Sequence, residues 1–466
     1  MAAATEVEEK AANKAGRLGK VERLGTEGIG KLLAEMSAQT TFSLLVYAIY
    51  SITDTYFLSV GVNSLAAAGA SIISPVLIAL GGVATIVGVG GASVVSRALG
   101  GENVPRASRT VANTFLIFWT IALAITIAGT LLIEPLVYLF GATDSIAPYA
   151  IEYGRIILLG AITATGFSAI VRADGSVNFS TAMWVIPVTT NIVLCWLFIM
   201  VLHMGAGGAA LATVLGQSVS AGMSIYFFFF RKVRPYRIKA AYFKPDWPIM
   251  GEVLMIGLPS FLKSISASLV VIITNNLLKV LGGDSALGVF AIVSRLYAAI
   301  GIPQTGIVQA MQPLVGFNFG QKRFARVKRT ITLSLRATVG YGVVVCAICL
   351  LIPGILIGML SHEPAIILEG QKALRMLSLA YPLSGVAVMV AAYFQSLGKA
   401  KDALLLTLGG MLLVKLPVLL LGARLFGLDG IWASEAVSEL ILCAVALLML
   451  RYTQARAAWV PASTAP

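Results

Sequence analysis

Charged residues are scarce in this sequence. Only 12% of its 466 residues are Asp, Glu, Lys or Arg, against about 25% in ordinary soluble domains, while 58% are hydrophobic. The mean hydropathy is +0.89. This composition excludes a soluble globular domain, and it predicts an all-α polytopic membrane protein whose apolar segments cross the bilayer as helices.

Histidine and cysteine are rare as well, with two and four residues. The cysteines fall inside apolar stretches and neither histidine falls at the centre of one, so no disulfide framework or zinc cluster is predicted. The sequence also lacks the H-E-x-x-H and G-x-S-x-G motifs of metalloproteases and serine hydrolases. We therefore expect no enzyme activity, no bound metal and no cofactor.

The net charge of +13 could suggest a nucleic-acid partner. The basic residues are instead dispersed in short clusters between apolar stretches, as in loops that face anionic lipid and the cytoplasm. We therefore expect membrane lipid as a partner and no nucleic acid.

The N-terminal 37 residues are polar, with neither the apolar core nor the cleavage pattern of a signal peptide. We expect them to stay in the cytoplasm as a tail. The last part of this tail is predicted to form an amphipathic helix along the membrane interface. Its apolar positions are Leu24, Ile29, Leu32, Leu33 and Met36.

Twelve apolar segments follow, and each is long enough to cross a bilayer. They cover residues 38–61, 66–96, 110–133, 147–172, 181–203, 207–230, 253–281, 285–314, 330–360, 370–397, 402–424 and 429–451. Lys and Arg concentrate in the tail and the even-numbered connections, whereas the odd-numbered connections are nearly free of them apart from Arg424. The positive-inside rule then puts both termini in the cytoplasm.

The chain repeats itself after about 220 residues. Residues 99–110 align with 319–330, 63–66 with 284–287, 172–175 with 395–398, and 204–208 with 426–430. Six spans separate the copies, so we expect two six-helix bundles related by a pseudo-two-fold axis along the membrane normal. The expected domains are the tail 1–37, the lobes 38–230 and 253–451, the basic linker 231–252 and a cytoplasmic tail 452–466.

Asp54 is the one charged residue in the run 38–61. A carboxylate inside a bilayer costs roughly 2.5 to 3.5 kcal/mol, so such residues usually face a bundle interior or a wet cavity on an ion or substrate path. Two alternatives stay open: Asp54 snorkels to water at the outer end of its helix, or it hydrogen-bonds a neighbouring helix.

Six short motifs resemble the bacterial branch of the multidrug and toxic compound extrusion (MATE) family. They are SITDTYF at 51–57, SRALG at 96–100, RADG at 172–175, GAGGAALAT at 205–213, QPLVGFNFG at 312–320 and FQSLG at 394–398. The most specific begins at Gln312, and the likeness covers roughly residues 29–451. The resemblance implies a cation-coupled antiporter that exports amphipathic, often cationic drugs or toxins by alternating access. Its partners would be lipophilic small molecules, and we expect it to act as a monomer.

The resemblance also implies an ion-coupling site. Asp54 would match the family's acidic residue on the first helix and Asn191 a polar partner on the fifth. Apart from the resemblance, we expect a neutral Asp54 carboxyl to hydrogen-bond polar groups of the first lobe such as Asn191, Thr213 or Gln217. The family often has a second acid one turn after Asn191, where this chain has Cys195. Proton coupling is favoured, and sodium stays possible because carboxylate, amide and hydroxyl oxygens can ligate it.

A second charged group is predicted in the C-terminal half. Glu435 and Glu439 lie four residues apart on one helix face, at the same depth as Lys415 on the preceding span. An unpaired ammonium is costly at that depth, so we expect Lys415 to pair with Glu435 or Glu439 as a structural or coupling element.

Two alternative functions differ in class from an exporter. One is a lipid-linked oligosaccharide flippase of the same superfamily, for which a wide basic cleft would be needed. The intramembrane cations Lys263, Arg295 and Lys415 are too few to favour it strongly. The other is a membrane-embedded enzyme, which the missing catalytic motifs argue against.

Overall fold

The structure is a computed structural model, and it describes residues 21–164, 167–231, 236, 238–361 and 363–457. Most of the predicted N-terminal tail, residues 458–466 of the C-terminal tail and five linker residues (232–235 and 237) lie outside this range.

Nine α-helices follow from Ile29 onward in the described part of the N-terminal half. They are α1 Ile29–Gly61, α2 Ser64–Ile72, α3 Ser74–Gly100, α4 Val104–Leu131, α5 Ile133–Leu139, α6 Ala147–Leu159, α7 Ser168–Ala173, α8 Val177–Cys195 and α9 Gly205–Ile225. Helices α8 and α9 continue as π-helical turns over Trp196–Val201 and Tyr226–Phe230. Short 3₁₀ turns cover Ala161–Thr163 and Ala240–Phe243.

The described part of the C-terminal half is also built from α-helices. They are α10 Trp247–Gly320, α11 Phe324–Leu351, α12 Pro353–Gly358, α13 Pro364–Ser378, α14 Tyr381–Ser396, α15 Ala400–Leu404 and α16 Leu416–Ala457. Two π-helical turns, Leu405–Gly409 and Met411–Lys415, join α15 to α16. Gly283 in α10 and Gly427 in α16 have left-handed φ values of 63° and 59°, so each of these long helices is two helices joined at a sharp turn.

The helices account for the twelve predicted membrane crossings. Within the described residues, eight helical stretches are long and apolar enough to span a bilayer. Two bent pairs, with angles of 50° and 47°, each supply one further crossing. The breaks at Gly283 and Gly427 divide two of the eight stretches. The all-α, twelve-span fold class is therefore confirmed.

The chain divides into two compact units, and the division falls inside helices. The first unit holds the residues up to Glu27 and Phe42–Gly257, and the second holds Gly28–Thr41 and Leu258 onward. The linker and the first residues of α10 thus belong to the first unit, whereas the start of α1 belongs to the second.

The segment expected to lie along the membrane interface continues into the first long helix. Its apolar side chains are buried in the protein, with Leu24, Leu32 and Met36 only 1%, 3% and 1% exposed. From Ile29 onward the segment is the first part of α1 itself. Burial removes this apolar surface from water.

Each unit has its own apolar core. In the first unit the core surrounds Tyr153 and Ile157 of α6, and in the second it surrounds Trp432 of α16, which is 1% exposed. Glycines allow helices to meet backbone to backbone, as is common in membrane proteins. A Cβ atom on Gly90 of α3 would overlap the carbonyl of Val253, and one on Gly342 of α11 would overlap the carbonyl of Tyr381.

The backbone of the two units agrees with the sequence repeat. Three pairs of left-handed residues occur at matching positions: Glu102 and Lys322 with φ values of 58° and 57°, Gly175 and Gly398 with 83° and 78°, and Gly205 and Gly427 with 63° and 59°. The pairs lie 220, 223 and 222 residues apart, as the aligned segments do. Equivalent connections in the two halves therefore turn in the same way.

Candidate functional site

Asp54 lies in the second half of α1, seven residues before the helix ends at Gly61, and its side chain is half-buried. Among the described residues, no lysine or arginine lies within ion-pair distance of this carboxyl group. A negative charge in an apolar environment is costly when no cation compensates it. Asp54 is therefore an acidic side chain without a compensating cation in the described part of the chain.

A short chain of polar contacts connects Asp54 to α8 and α9. Cys195 Sγ lies 3.6 Å from Asp54 Oδ1 and 3.8 Å from Asn191 Oδ1, in position to donate to either. Asn191 Nδ2 donates to Thr213 Oγ1 over 3.3 Å. The three partners are buried, with Cys195 at 0% and Asn191 and Thr213 at 3% exposure. The structure thus brings together Asp54, Asn191 and Thr213, and Cys195 connects them.

Tyr50 belongs to this site, although it was not among the residues predicted to form it. It precedes Asp54 by one helical turn, and its hydroxyl oxygen lies 3.5 Å from Thr213 Oγ1. The i, i+4 spacing from Asp54 was the signal available in the sequence. Gln217, which was predicted to join the site, is half-buried on α9 and makes no hydrogen bond to these groups within the described residues.

Aromatic rings extend from the polar group along α1. The Tyr47 ring lies 5.7 Å from that of Tyr50 and meets Trp184 of α8 edge-on at 5.4 Å. Tyr47 is 48% exposed, whereas Trp184 is half-buried. The first unit therefore presents a carboxyl group beside an aromatic surface, a combination suited to an organic cation.

The charged group of the second unit is a compact cluster. Lys415 Nζ lies 2.6 Å from Glu435 Oε1 and 2.7 Å from Glu439 Oε1, so the ion pair expected for Lys415 is present with both carboxylates. Glu439 is 5% exposed. The Tyr297 hydroxyl donates to Glu435 Oε1 over 3.3 Å, and its ring stacks on Tyr381 at 5.2 Å. Two carboxylates thus share one ammonium.

Two positions of the charged cluster have equivalents in the first unit, a correspondence that was not predicted. Thr213 corresponds to Glu435 and Gln217 to Glu439, both at a distance of 222 residues, the shift that aligns 204–208 with 426–430. In each unit a tyrosine hydroxyl contacts the first of these positions, Tyr50 on Thr213 and Tyr297 on Glu435. Extending that aligned segment along α9 and α16 would have revealed the correspondence.

A further buried carboxyl group lies outside the membrane spans. Asp174 follows the end of α7 and is 1% exposed. Burial raises the pKa of this carboxyl to about 7, while hydrogen bonding from Ser176, whose amide donates to Oδ1 at 2.9 Å, and the charge of Arg231 oppose that rise. The group titrates near neutral pH and is a candidate for pH-dependent stability.

The described residues contain no group of three or more His, Cys, Asp or Glu side chains arranged to hold a metal ion. The arrangement around Asp54 offers one carboxylate, one amide oxygen and two hydroxyl oxygens, from Thr213 and Tyr50. These groups can bind and release a proton or accept a single cationic group.

Known proteins resemble this chain along most of its length. The MatE family profile matches residues 40–197 and 259–421. Multidrug export protein MepA of Staphylococcus saprophyticus is 26% identical over 433 residues, covering 91% of this chain and 93% of that protein. The protein of the same name from Staphylococcus haemolyticus is 25% identical over 431 residues, covering 91% and 94%. A crystal structure of MATE in the bent conformation has a TM-score of 0.89 at 24% identity and covers 94% of this chain and 98% of that one, a likeness of fold. Because the profile covers more than half of the residues and falls in both halves of the repeat, the chain belongs to the MatE family.

Proposed function

We propose that this chain exports amphipathic, often cationic small molecules across a bacterial inner membrane by alternating access, with both termini in the cytoplasm. The family match in both halves is the observation that carries this proposal. The relatives described above are named for multidrug export, which favours export over lipid-linked sugar transport. Each charged site is formed within a single chain, so a monomer suffices for the function.

We assign the coupling ion to the site around Asp54. The carboxyl group has no cationic partner among the described residues, and a proton removes a charge that is costly in an apolar environment. Water reaches it only when the site opens to the outside, where it takes up a proton. The neutral carboxyl then changes its contacts with Cys195 and the Asn191–Thr213 pair, and the substrate is released.

The aromatic surface beside Asp54 supports a role for the same site in substrate binding. A cation over the rings of Tyr47 and Trp184 gains from both cation–π attraction and the nearby carboxylate. Proton and substrate then compete for one negative charge, which gives antiport without a second coupling residue.

Sodium is the less favoured coupling ion. Hard cations require several oxygen ligands. The Cys195 thiol, which contacts both Asp54 and Asn191, is a soft donor that suits other metals. A proton needs only the carboxyl group.

Transport by proteoliposomes under an imposed pH gradient or an imposed sodium gradient tests the coupling. We expect uphill transport of ethidium on the pH gradient alone, and at least a tenfold loss in Asp54→Asn. Asp144→Asn is the matched control, since this carboxyl accepts a hydrogen bond from Tyr138 in an exposed connection. Transport at the parental rate in Asp54→Asn would refute the coupling role of Asp54. Transport driven by the sodium gradient alone would identify sodium as the coupling ion.

Accumulation of ethidium in a pump-deficient bacterium tests the export function itself. Expression of the chain is expected to lower the accumulated dye. Unchanged accumulation across a broad panel of lipophilic cations, with the protein demonstrated in the membrane, would contradict export.

A further inference from the structure

Two adjacent cavities lie in the first unit where the linker meets the start of α4. Their volumes are about 430 and 440 Å³, and both are lined by Arg109, Asp246 and Pro248. Lys244 and Trp247 line the second cavity. We call the pair the linker pocket; its size suits a small polar headgroup.

The walls of the linker pocket are fixed by hydrogen bonds. Asn113 of α4 donates from Nδ2 to the carbonyl of Tyr242 over 3.4 Å and accepts from the amide of Asp246 over 2.9 Å. The rings of Phe229 and Phe243 stack with centroids 6.0 Å apart. The linker is thus held against α4 by its own backbone, and the pocket is a preformed feature of the first unit.

The carboxylates near the pocket already have partners. Glu252 accepts from Arg97 over 3.0 Å and from Arg106 over 2.6 Å. Asp246 Oδ1 accepts from the amide of Ile249 in the first turn of α10. Glu252 is therefore paired with two arginines, whereas Asp246 has a backbone amide partner and keeps its charge, so the basic lining residues Arg106, Arg109 and Lys244 outnumber the two acidic ones by one.

Two cations of the pocket are left without a carboxylate. Arg109 lies with its guanidinium 5.6 Å from the centre of the Tyr242 ring, and no acidic group of the described residues is within ion-pair distance of it. Lys244 is exposed and has no ion pair in the same part of the chain. The pocket therefore carries an excess of positive charge, which favours an anionic ligand.

The position of the pocket favours a ligand that belongs to the membrane. Helices α4 and α10 begin beside it, at Val104 and Trp247, so it lies level with the ends of membrane spans. Trp247 is 74% exposed. Exposed tryptophan at a span end is typical of the headgroup layer, where its ring meets lipid and its N–H meets water. Binding of a soluble anion would not require a tryptophan ring at this position.

We propose that the linker pocket binds the headgroup of an anionic phospholipid of the cytoplasmic leaflet. Arg109 and Lys244 contact the phosphate, and Trp247 lies at the boundary between headgroup and acyl chains. This site is separate from Asp54; its leaflet rests on the orientation proposed above, and its binding of lipid does not depend on whether the chain is an exporter. A bound lipid would hold the linker, α4 and the start of α10 together.

Native mass spectrometry of the purified full-length protein tests the proposal, with phosphatidylglycerol and phosphatidylcholine of identical acyl chains as probes. We expect phosphatidylglycerol to bind at least tenfold more tightly. Arg109→Gln and Lys244→Gln should each weaken phosphatidylglycerol binding about fivefold, the effect of one basic residue near an anionic membrane surface, and leave phosphatidylcholine unaffected. Arg109→Lys should keep most of the affinity, because it keeps the charge.

Arg329 supplies the matched control. It is exposed at the start of α11, at the position equivalent to Arg109 in the repeat. Arg329→Gln should bind both lipids as the parent does. The proposal would be overturned if the parent bound the two lipids with equal affinity. It would also be overturned if Arg329→Gln weakened phosphatidylglycerol binding as much as Arg109→Gln does, or if millimolar inorganic phosphate displaced the lipid. If Arg109→Gln fails to fold, phosphatidylglycerol binding by Lys244→Gln, compared with that of the parent, still tests the proposal.

Discussion

The thiol of Cys195 lies 3.6 Å from the carboxylate of Asp54. A group that can donate a hydrogen bond therefore occupies the place where a second acid would interact directly with the first. Two carboxylates at this separation would titrate as a pair, with two macroscopic steps. A single carboxyl with a thiol neighbour has one step, which makes one proton per transport cycle the simplest expectation.

Cys195→Asp should change the pH dependence of transport. We expect a second titration step in the initial rate of pH-driven transport, separated from the first by more than about one pH unit, since the two carboxyls interact strongly. Cys195→Ser keeps a hydrogen-bond donor at the same position and should keep the parental profile. A single-step profile in Cys195→Asp would contradict the close contact.

Lys415→Met should lower thermal stability strongly. Removing the ammonium leaves Glu435 and Glu439 unpaired in a buried cluster, and breaking a buried pair in this way costs about 3–5 kcal/mol. The measurement is the melting temperature in detergent.

The matched control for Lys415 is Lys372→Met. Lys372 pairs with Asp429, but both side chains are about half exposed, at 48% and 47%, so the loss should be about 0–1 kcal/mol. Replacing Glu435 and Glu439 by neutral residues in the Lys415→Met variant removes the unpaired charges, so it should recover part of the lost stability. A parental melting temperature in Lys415→Met would mean that the cluster contributes nothing.

Gly342→Ala should destabilise the second unit. The added methyl group would meet the backbone of Tyr381, with the carbonyl carbon only 2.7 Å away, so α11 and α14 have to separate. Overpacking of this kind costs about 1–3 kcal/mol. Gly340→Ala lies in the same helix with nothing within 4 Å of the new atom, and it should be neutral or slightly stabilising. Equal melting temperatures for the two variants would contradict the close approach.

The stability of Asp174→Asn relative to that of the parent should increase as the pH rises. The folded carboxyl has a pKa of about 7 and the unfolded one 3.8, so between these values the folded state holds a proton that the unfolded state has lost. The stability of the parent therefore falls as the pH rises through this window and levels off above it. The asparagine variant lacks this loss, which is at most about 4 kcal/mol.

The difference in melting temperature between Asp174→Asn and the parent, followed from acid to neutral pH, measures this effect. The same series for Asp144→Asn, whose carboxyl lies in an exposed connection, should be flat. A flat series for Asp174→Asn as well would mean that its carboxyl is ionised throughout.

Much of the fold could be predicted because a bilayer restricts the length, composition and secondary structure of the segments that cross it. Apolar runs long enough to cross give the spans, and the recurrence of segments such as 172–175 at 395–398 gives the two halves. The sharp turns at Gly283 and Gly427 also fall between predicted spans. These features depend on local composition, so the sequence displays them directly.

The candidate site was only partly predictable, because contacts between helices depend on how each helix is rotated. The approach of Cys195 to Asp54 follows from packing, which hydropathy does not determine. The burial of Leu32 and Met36 at the start of α1 was missed for the same reason. An amphipathic pattern shows that one face is apolar without identifying what covers that face.

The correspondence of Thr213 with Glu435 and of Gln217 with Glu439 has a consequence for how such sequences can diverge. If the halves descend from one duplicated ancestor, the path from two neutral residues to two acids beside Lys415 passes through forms with a lone buried charge. Each of those forms is penalised, so the substitutions at 415, 435 and 439 are epistatic and become acceptable only in combination. Among relatives, an acid at position 435 or 439 should therefore be accompanied by a base at 415.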